Sequence, residues 1–143
     1  LSHLIHPYIS GADAWLPEGI ASYFQNILRA RKALIEQRLG WQKLDAGFRR
    51  GRAQFERGRT LARDTREMMA QGQYMRVYWS GAAIALISDV ELRLRSGGVT
   101  SLDTVFKELS RCCLPSERRW TASELMTKMD GIYLINFLLA KAL

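Results

Sequence analysis

Cysteine, acidic residues and long apolar runs are all scarce in this chain. Of its 143 residues only two are cysteine, and they are neighbours, Cys112 and Cys113. A lone adjacent pair is no disulfide framework, and a bond between adjacent cysteines is strained, so two buried or idle thiols are expected. No apolar run reaches the roughly 20 residues that a membrane helix needs. The longest, GAAIALI and LINFLLA, fall well short, so no membrane span is expected. There is no internal repeat, low-complexity tract or linker, which predicts a single domain over residues 1–143. What is there is ordinary for a globular protein: just under half the residues are apolar and a quarter are charged. That is enough chain for one compact domain with its own core. The chain opens at Leu1, without methionine or a secretory signal, and is expected to be a piece of something longer.

Asp and Glu number 14 against 21 Lys and Arg, a net charge of +7. The excess is uneven. Residues 49 to 66 read RRGRAQFERGRTLARDTR, seven arginines against two acids. Such a run can serve as a binding face for nucleic acid or an acidic partner, or stand as a solvated, salt-bridged surface. Only Phe55 interleaves with it, where single-strand binding calls for several stacking aromatics, so nucleic acid is not the expected partner.

Apolar spacing points to helices throughout and to an all-α bundle of five to six. Ile20, Phe24, Ile27, Leu28, Leu34, Ile35 and Leu39 recur at three- to four-residue intervals, predicting a helix over 18–39 with Pro17 in its first turn and Gly40 as its stop. A second, glycine-weakened helix is expected from Trp41 to about Arg57, with Trp41, Leu44, Phe48 and Phe55 inward. GRTLARDT reads as a connector. A third helix runs from Tyr74 to Arg95, its small-residue centre SGAAIALI inviting close approach of another helix. Ser101 can cap a fourth, LDTVFKELSRCC, with Asp103 near its positive end. Thr121 and Glu124 have capping-box spacing for a fifth, which the Asp130-Gly131 pair should break, and YLINFLLAKAL reads as a last helix.

One carboxylate stands out. Glu18 lies in AWLPEGIASYF, between Trp15 and Leu16 on one side and a small-residue turn on the other, which heads it toward the interior, and a buried carboxylate needs a partner. His3 precedes it by fifteen positions. In zinc peptidases built on H-E-x-x-H, two histidines one helical turn apart bind the metal and the glutamate between them is the general base. A His-Glu pair just before Leu1 would make His3 the second histidine of that motif.

AWLPEGIASYF resembles the Trp-x-x-Glu-Gly-x-x-x-Tyr block of the gluzincin peptidases, the aminopeptidase N and glycyl aminopeptidase families. VYWSGAAIALISDVELRLRSGGVTSLDTVFKEL resembles their Tyr-x-Lys-Gly-Ala helix with the double glycine and serine-capped helix that follow it. The likeness covers nearly the whole chain and is nearest to the glycyl aminopeptidase branch. It implies the carboxy-terminal helical half of a thermolysin-like catalytic domain, cut inside the His-Glu-x-x-His motif, with a peptide substrate, zinc as cofactor and the amino-terminal half of the domain as partner. His3 and Glu18 would be metal ligands, and Ser22, one turn on, would bond a histidine ligand. Tyr78 would donate to the oxyanion, with Tyr74 as the rival phenol. Trp15 and Tyr23 would pack the block in place. His6 is expected at the surface or beside the ligands, not among them. Two positions depart from the family pattern: Ser80, where lysine is usual, and Pro17. The fragment by itself, with two ligands and no base, is expected to hold zinc poorly and to be inactive. Two other readings stay open, a basic binding module and a peptidase homologue that keeps only a scaffold role.

Overall fold

A computed structural model describes residues 5–133. They form six α-helices: α1 (Trp15–Arg31), α2 (Gln37–Ala53), α3 (Leu61–Gln71), α4 (Tyr74–Arg95), α5 (Leu102–Cys113) and α6 (Ala122–Tyr133), with a short 3-10 turn, Gly11–Asp13, ahead of the first. No strand occurs among the described residues. A single bridge, Ile9 to Trp120, ties the amino-terminal segment to the start of α6. The all-α class is therefore as expected. None of these helices is long and apolar enough to cross a membrane.

α4 is the axis of the bundle. Its apolar residues lie all round it, as a helix surrounded by others requires. Val77, Ala82, Ala85 and Leu92 are buried in one core with Trp15, Ile20, Tyr23 and Phe24 of α1, Leu44 of α2, and Leu102, Val105, Phe106 and Leu109 of α5. α1 packs along α4 through glycine. A Cβ built on Gly19 would lie 2.4 Å from the Gly81 Cα, and one built on Gly81 would lie 2.0 Å from the Trp15 carbonyl oxygen. α2 reaches α4 in the same way: a Cβ on Gly47 would lie 2.1 Å from the Trp79 ring, and one on Gly51 2.7 Å from the Trp79 Cβ.

Several boundaries differ from the expected ones. α1 starts at Trp15 and ends at Arg31, not at Gly40. The chain turns there with Ala33 at φ 54°, and Leu34, expected on the buried face, is exposed. Gly40 is no stop. It sits inside α2, buried, where a side chain would crowd Ala30 of α1. Trp41 and Phe55, expected inward, are exposed at 53% and 54%. Phe55 lies beyond the end of α2 and carries the Arg76 guanidinium over its ring. GRTLARDT is not a connector throughout: Thr60 caps α3, accepting from the Arg63 N–H, and the helix begins at Leu61. Gly131 does not break α6, which continues to Tyr133. α4 and α5 run as expected. The Thr121–Glu124 capping box is made in both directions, Thr121 N–H to Glu124 Oε2 at 2.8 Å and Glu124 N–H to Thr121 Oγ1 at 3.1 Å. Cys112 and Cys113, expected as thiols, are bonded to each other at the end of α5. Residues 134–143, most of the expected last helix, lie outside the described residues, as does His3.

Tyr23 does more than pack. It is buried, and its hydroxyl donates to Asp89 Oδ2 at 2.8 Å. Asp89 also accepts from Arg93 Nε at 3.0 Å and from the Leu102 N–H at the start of α5 at 2.7 Å. One buried carboxylate thus joins α1, α4 and α5. Burial, followed by the hydrogen bond to Asp89 and its charge, holds the Tyr23 phenol above its usual range. A phenol with a raised folded-state pKa stabilises the fold fully below the unfolded value of about 10, and that contribution is lost as pH rises beyond it. The half-buried Tyr78 is shifted the same way. The urea midpoint should therefore fall between about pH 10 and 11.5, more steeply than in Tyr23→Phe. That variant should be weaker at pH 8, having lost the hydrogen bond, but flatter above pH 10.

Candidate functional site

Glu18 stands in the first turn of α1, half-buried, at the end of the helix that carries the positive pole of its dipole. Pro17 precedes it at a position whose N–H has no partner in the helix, so the ring costs no hydrogen bond. Gly19 follows and meets Gly81 of α4. Three residues before Gly81, on the same face of α4, stands Tyr78. The glycine crossing brings these two side chains together across 60 positions of sequence, near enough for the Glu18 charge to act on the Tyr78 phenol. Burial first, then the negative charge of Glu18 and the neighbouring Tyr74, raise the Tyr78 phenol above its ordinary pKa.

Tyr74 is exposed at 36%, with its ring edge-to-face on Tyr78 at 6.3 Å between centroids. It borders the pair. Ser80 is two residues on from Tyr78, about 200° round the helix. It faces away from Glu18 and accepts from Arg76 Nη1 at 2.7 Å. Its departure from the family's lysine therefore falls on the far side of α4 from the candidate site. Ser22 is half-buried one turn beyond Glu18, and His3, the histidine the resemblance would give it, lies outside the described residues. His6, expected at the surface or beside the ligands, is not at the surface: it is 6% exposed, with Nδ1 2.8 Å from the Pro7 carbonyl oxygen.

The fit of zinc to this site rests on Glu18. A half-buried carboxylate at a helix start is suited to be one oxygen ligand. A zinc site takes three protein ligands or more. Among the described residues no three His, Cys, Asp or Glu side chains converge to hold a metal ion.

The arginine run folds partly onto itself. Arg59, 12% exposed, pairs with the buried Asp64 at 2.6 Å and with Glu67 at 2.7 Å. Arg76 of α4 reaches the other oxygen of Asp64 at 3.2 Å. Arg63 pairs with Glu67, and Arg49 with Asp45. Arg50 lies over the Trp79 ring. Arg52, Arg57 and Arg66 are exposed. Asp64 is the residue that sequence reasoning passed over. It stands in the stretch read as a connector, and its two cations are five and twelve positions away, beyond any helical spacing.

Comparison of the chain with protein-family models, with curated proteins and with solved structures returns no match.

Proposed function

We propose that the chain is the carboxy-terminal helical half of the catalytic domain of a gluzincin-like zinc peptidase. One observation carries this reading. Glu18 and Tyr78 come from two separate sequence blocks, and they meet where the glycines of those same blocks interlock. The blocks resemble the family's in residues, and their meeting supports the reading.

In this reading Glu18 supplies an oxygen ligand, while the segment around His3 supplies the two histidines and the general base. Zinc, when bound, would polarise the scissile carbonyl. Tyr78 would donate its O–H to the oxygen that gains charge as the carbonyl is attacked, which would stabilise the transition state more than the ground state. Its raised pKa keeps it protonated, and so a donor, at neutral pH. Tyr74 gives that donor an aromatic flank.

The test compares two proteins. The 143-residue chain alone, assayed on peptides with and without zinc, should show no turnover above a metal-free blank. A protein extended upstream of Leu1 should bind one zinc per chain and hydrolyse peptides. Turnover by the short chain would overturn the division of ligands proposed here. An extended protein with neither zinc nor activity would leave an inactive homologue.

A further inference from the structure

Cys112 and Cys113 are the only cysteines in the chain, and they are bonded to each other. Their bond adds little to stability. A disulfide stabilises mainly by closing a loop in the unfolded chain, and the gain grows with loop length. Here no residue lies between the two cysteines, so the loop is as short as a loop can be. Adjacency in the chain also makes the bond easy to open. Neighbouring Cα atoms are about 3.8 Å apart across a trans peptide. That falls short of the about 4.4–6.8 Å over which disulfides close without distortion, and a distorted disulfide is the more readily reduced. The helix works the same way, since successive side chains of an α-helix point about 100° apart.

The placement gives a reductant access to one sulfur. Cys112 is exposed in the last turn of α5, while Cys113 is half-buried against the core. Cys112 Sγ lies 3.4 Å from the Leu109 carbonyl oxygen, an acceptor already in place for its thiol proton once the bond is open. With no third cysteine, no other bond within the chain competes.

We propose that Cys112–Cys113 is a reversible redox site that exchanges two electrons with a low-molecular-weight thiol. The incoming thiolate attacks Sγ of the exposed Cys112. A mixed disulfide forms there as the Cys112–Cys113 bond breaks, and Cys113 leaves as a thiolate and takes a proton. A second thiolate then attacks the outer sulfur of the mixed disulfide. The small-molecule disulfide forms, and Cys112 is freed and protonated in turn. Two small thiols are oxidised and one protein disulfide is reduced, and the reverse steps close the pair again. The site is separate from Glu18 and Tyr78 and does not rest on the peptidase reading.

The experiment uses the 143-residue chain, glutathione, and mass spectrometry after iodoacetamide. In 5 mM reduced glutathione the native protein should gain two alkylated cysteines, and excess glutathione disulfide should restore the bonded form that takes none. The melting temperature should differ between the two forms by no more than a few degrees, because so short a loop constrains the unfolded chain little. Cys113→Ser leaves Cys112 without a neighbouring thiol to expel glutathione, so glutathione disulfide should leave one glutathione trapped per chain. Cys112→Ser should react at least fivefold more slowly, because its remaining thiol is half-buried. A pair that stays bonded in glutathione until the protein is denatured would overturn the proposal. So would a fall of more than about 10 °C in the melting temperature on reduction, the mark of a structural bond. Equal or reversed rates in the two single variants would overturn the attack on Cys112.

Discussion

Gly81→Ala should unfold this protein well below the melting temperature of the wild type. The new Cβ would stand 2.0 Å from the Trp15 carbonyl oxygen and 2.8 Å from the Gly19 Cα. Both are backbone atoms of α1, so no side chain can rotate out of the way. The helices must part, and the packing of Trp15, Ile20 and Ala82 parts with them. Overpacking of a core costs about 1–3 kcal/mol, and this backbone-on-backbone case belongs at the upper end or beyond. For a chain of this size that lowers the melting temperature by about 10 °C. Gly19→Ala should act alike, its Cβ falling 2.4 Å from Gly81. The double variant should lose less than the sum of the two, since one separation of α1 from α4 relieves both clashes. Gly131 is the control. A Cβ there meets nothing within 4 Å, and the position is helical and exposed. Gly131→Ala should stabilise by about 0.5–1 kcal/mol, because alanine is the better helix former. Thermal melts of the wild type and the four variants decide the matter, and equal stability of wild type and Gly81→Ala would remove the glycine crossing as the support of the site.

The same glycines explain what could be read from the sequence and what could not. Helix type was legible wherever apolar spacing and a cap agreed, as in α4, with its terminus at Ser96-Gly97-Gly98, and α5, with Ser101 ahead of it. Boundaries failed where a glycine had two meanings. Gly40, Gly47 and Gly51 weaken an isolated helix, and sequence alone offers that meaning. In the bundle they are where Ala30 and Trp79 press against α2, a tertiary demand with no local mark. α3 was missed because its apolar face is short and its polar residues, Asp64 above all, serve partners on a loop and on α4. Glu18 was legible as a buried carboxylate in want of a partner. That Tyr78 stands beside it followed from no spacing. The two motif blocks pointed to each residue separately, and only the packing of α1 on α4 joins them. Asp89 had no signal at all: the tyrosine it serves lies 66 positions away, and the backbone N–H it accepts belongs to a different helix.

On the proposed peptidase reading, Glu18→Gln in a protein extended upstream of Leu1 should lose zinc and activity together. Glutamine is nearly isosteric with glutamate. The α1–α4 crossing rests on Gly19 and Gly81, which are untouched, so the melting temperature of the metal-free protein should hold. What changes is the charge at the helix start. A neutral amide oxygen is a much poorer zinc ligand than a carboxylate. Tyr78→Phe should separate the two roles. Zinc content should stay at the wild-type value while kcat falls about 10²- to 10³-fold, the usual cost of losing one oxyanion donor. KM should move little, because the lost hydrogen bond forms mainly in the transition state. Tyr74→Phe removes the rival hydroxyl and leaves the edge-to-face ring contact, so its kinetics should stay within a few-fold of wild type. Metal content per chain, melting temperature and steady-state kinetics on the three variants give each residue a distinct signature: a ligand loses metal, a donor loses kcat alone, and a wall residue loses neither. Full zinc and full activity in Glu18→Gln would make AWLPEGIASYF an ordinary helix start. A Tyr78→Phe protein that turned over normally while Tyr74→Phe did not would move the donor one turn back along α4.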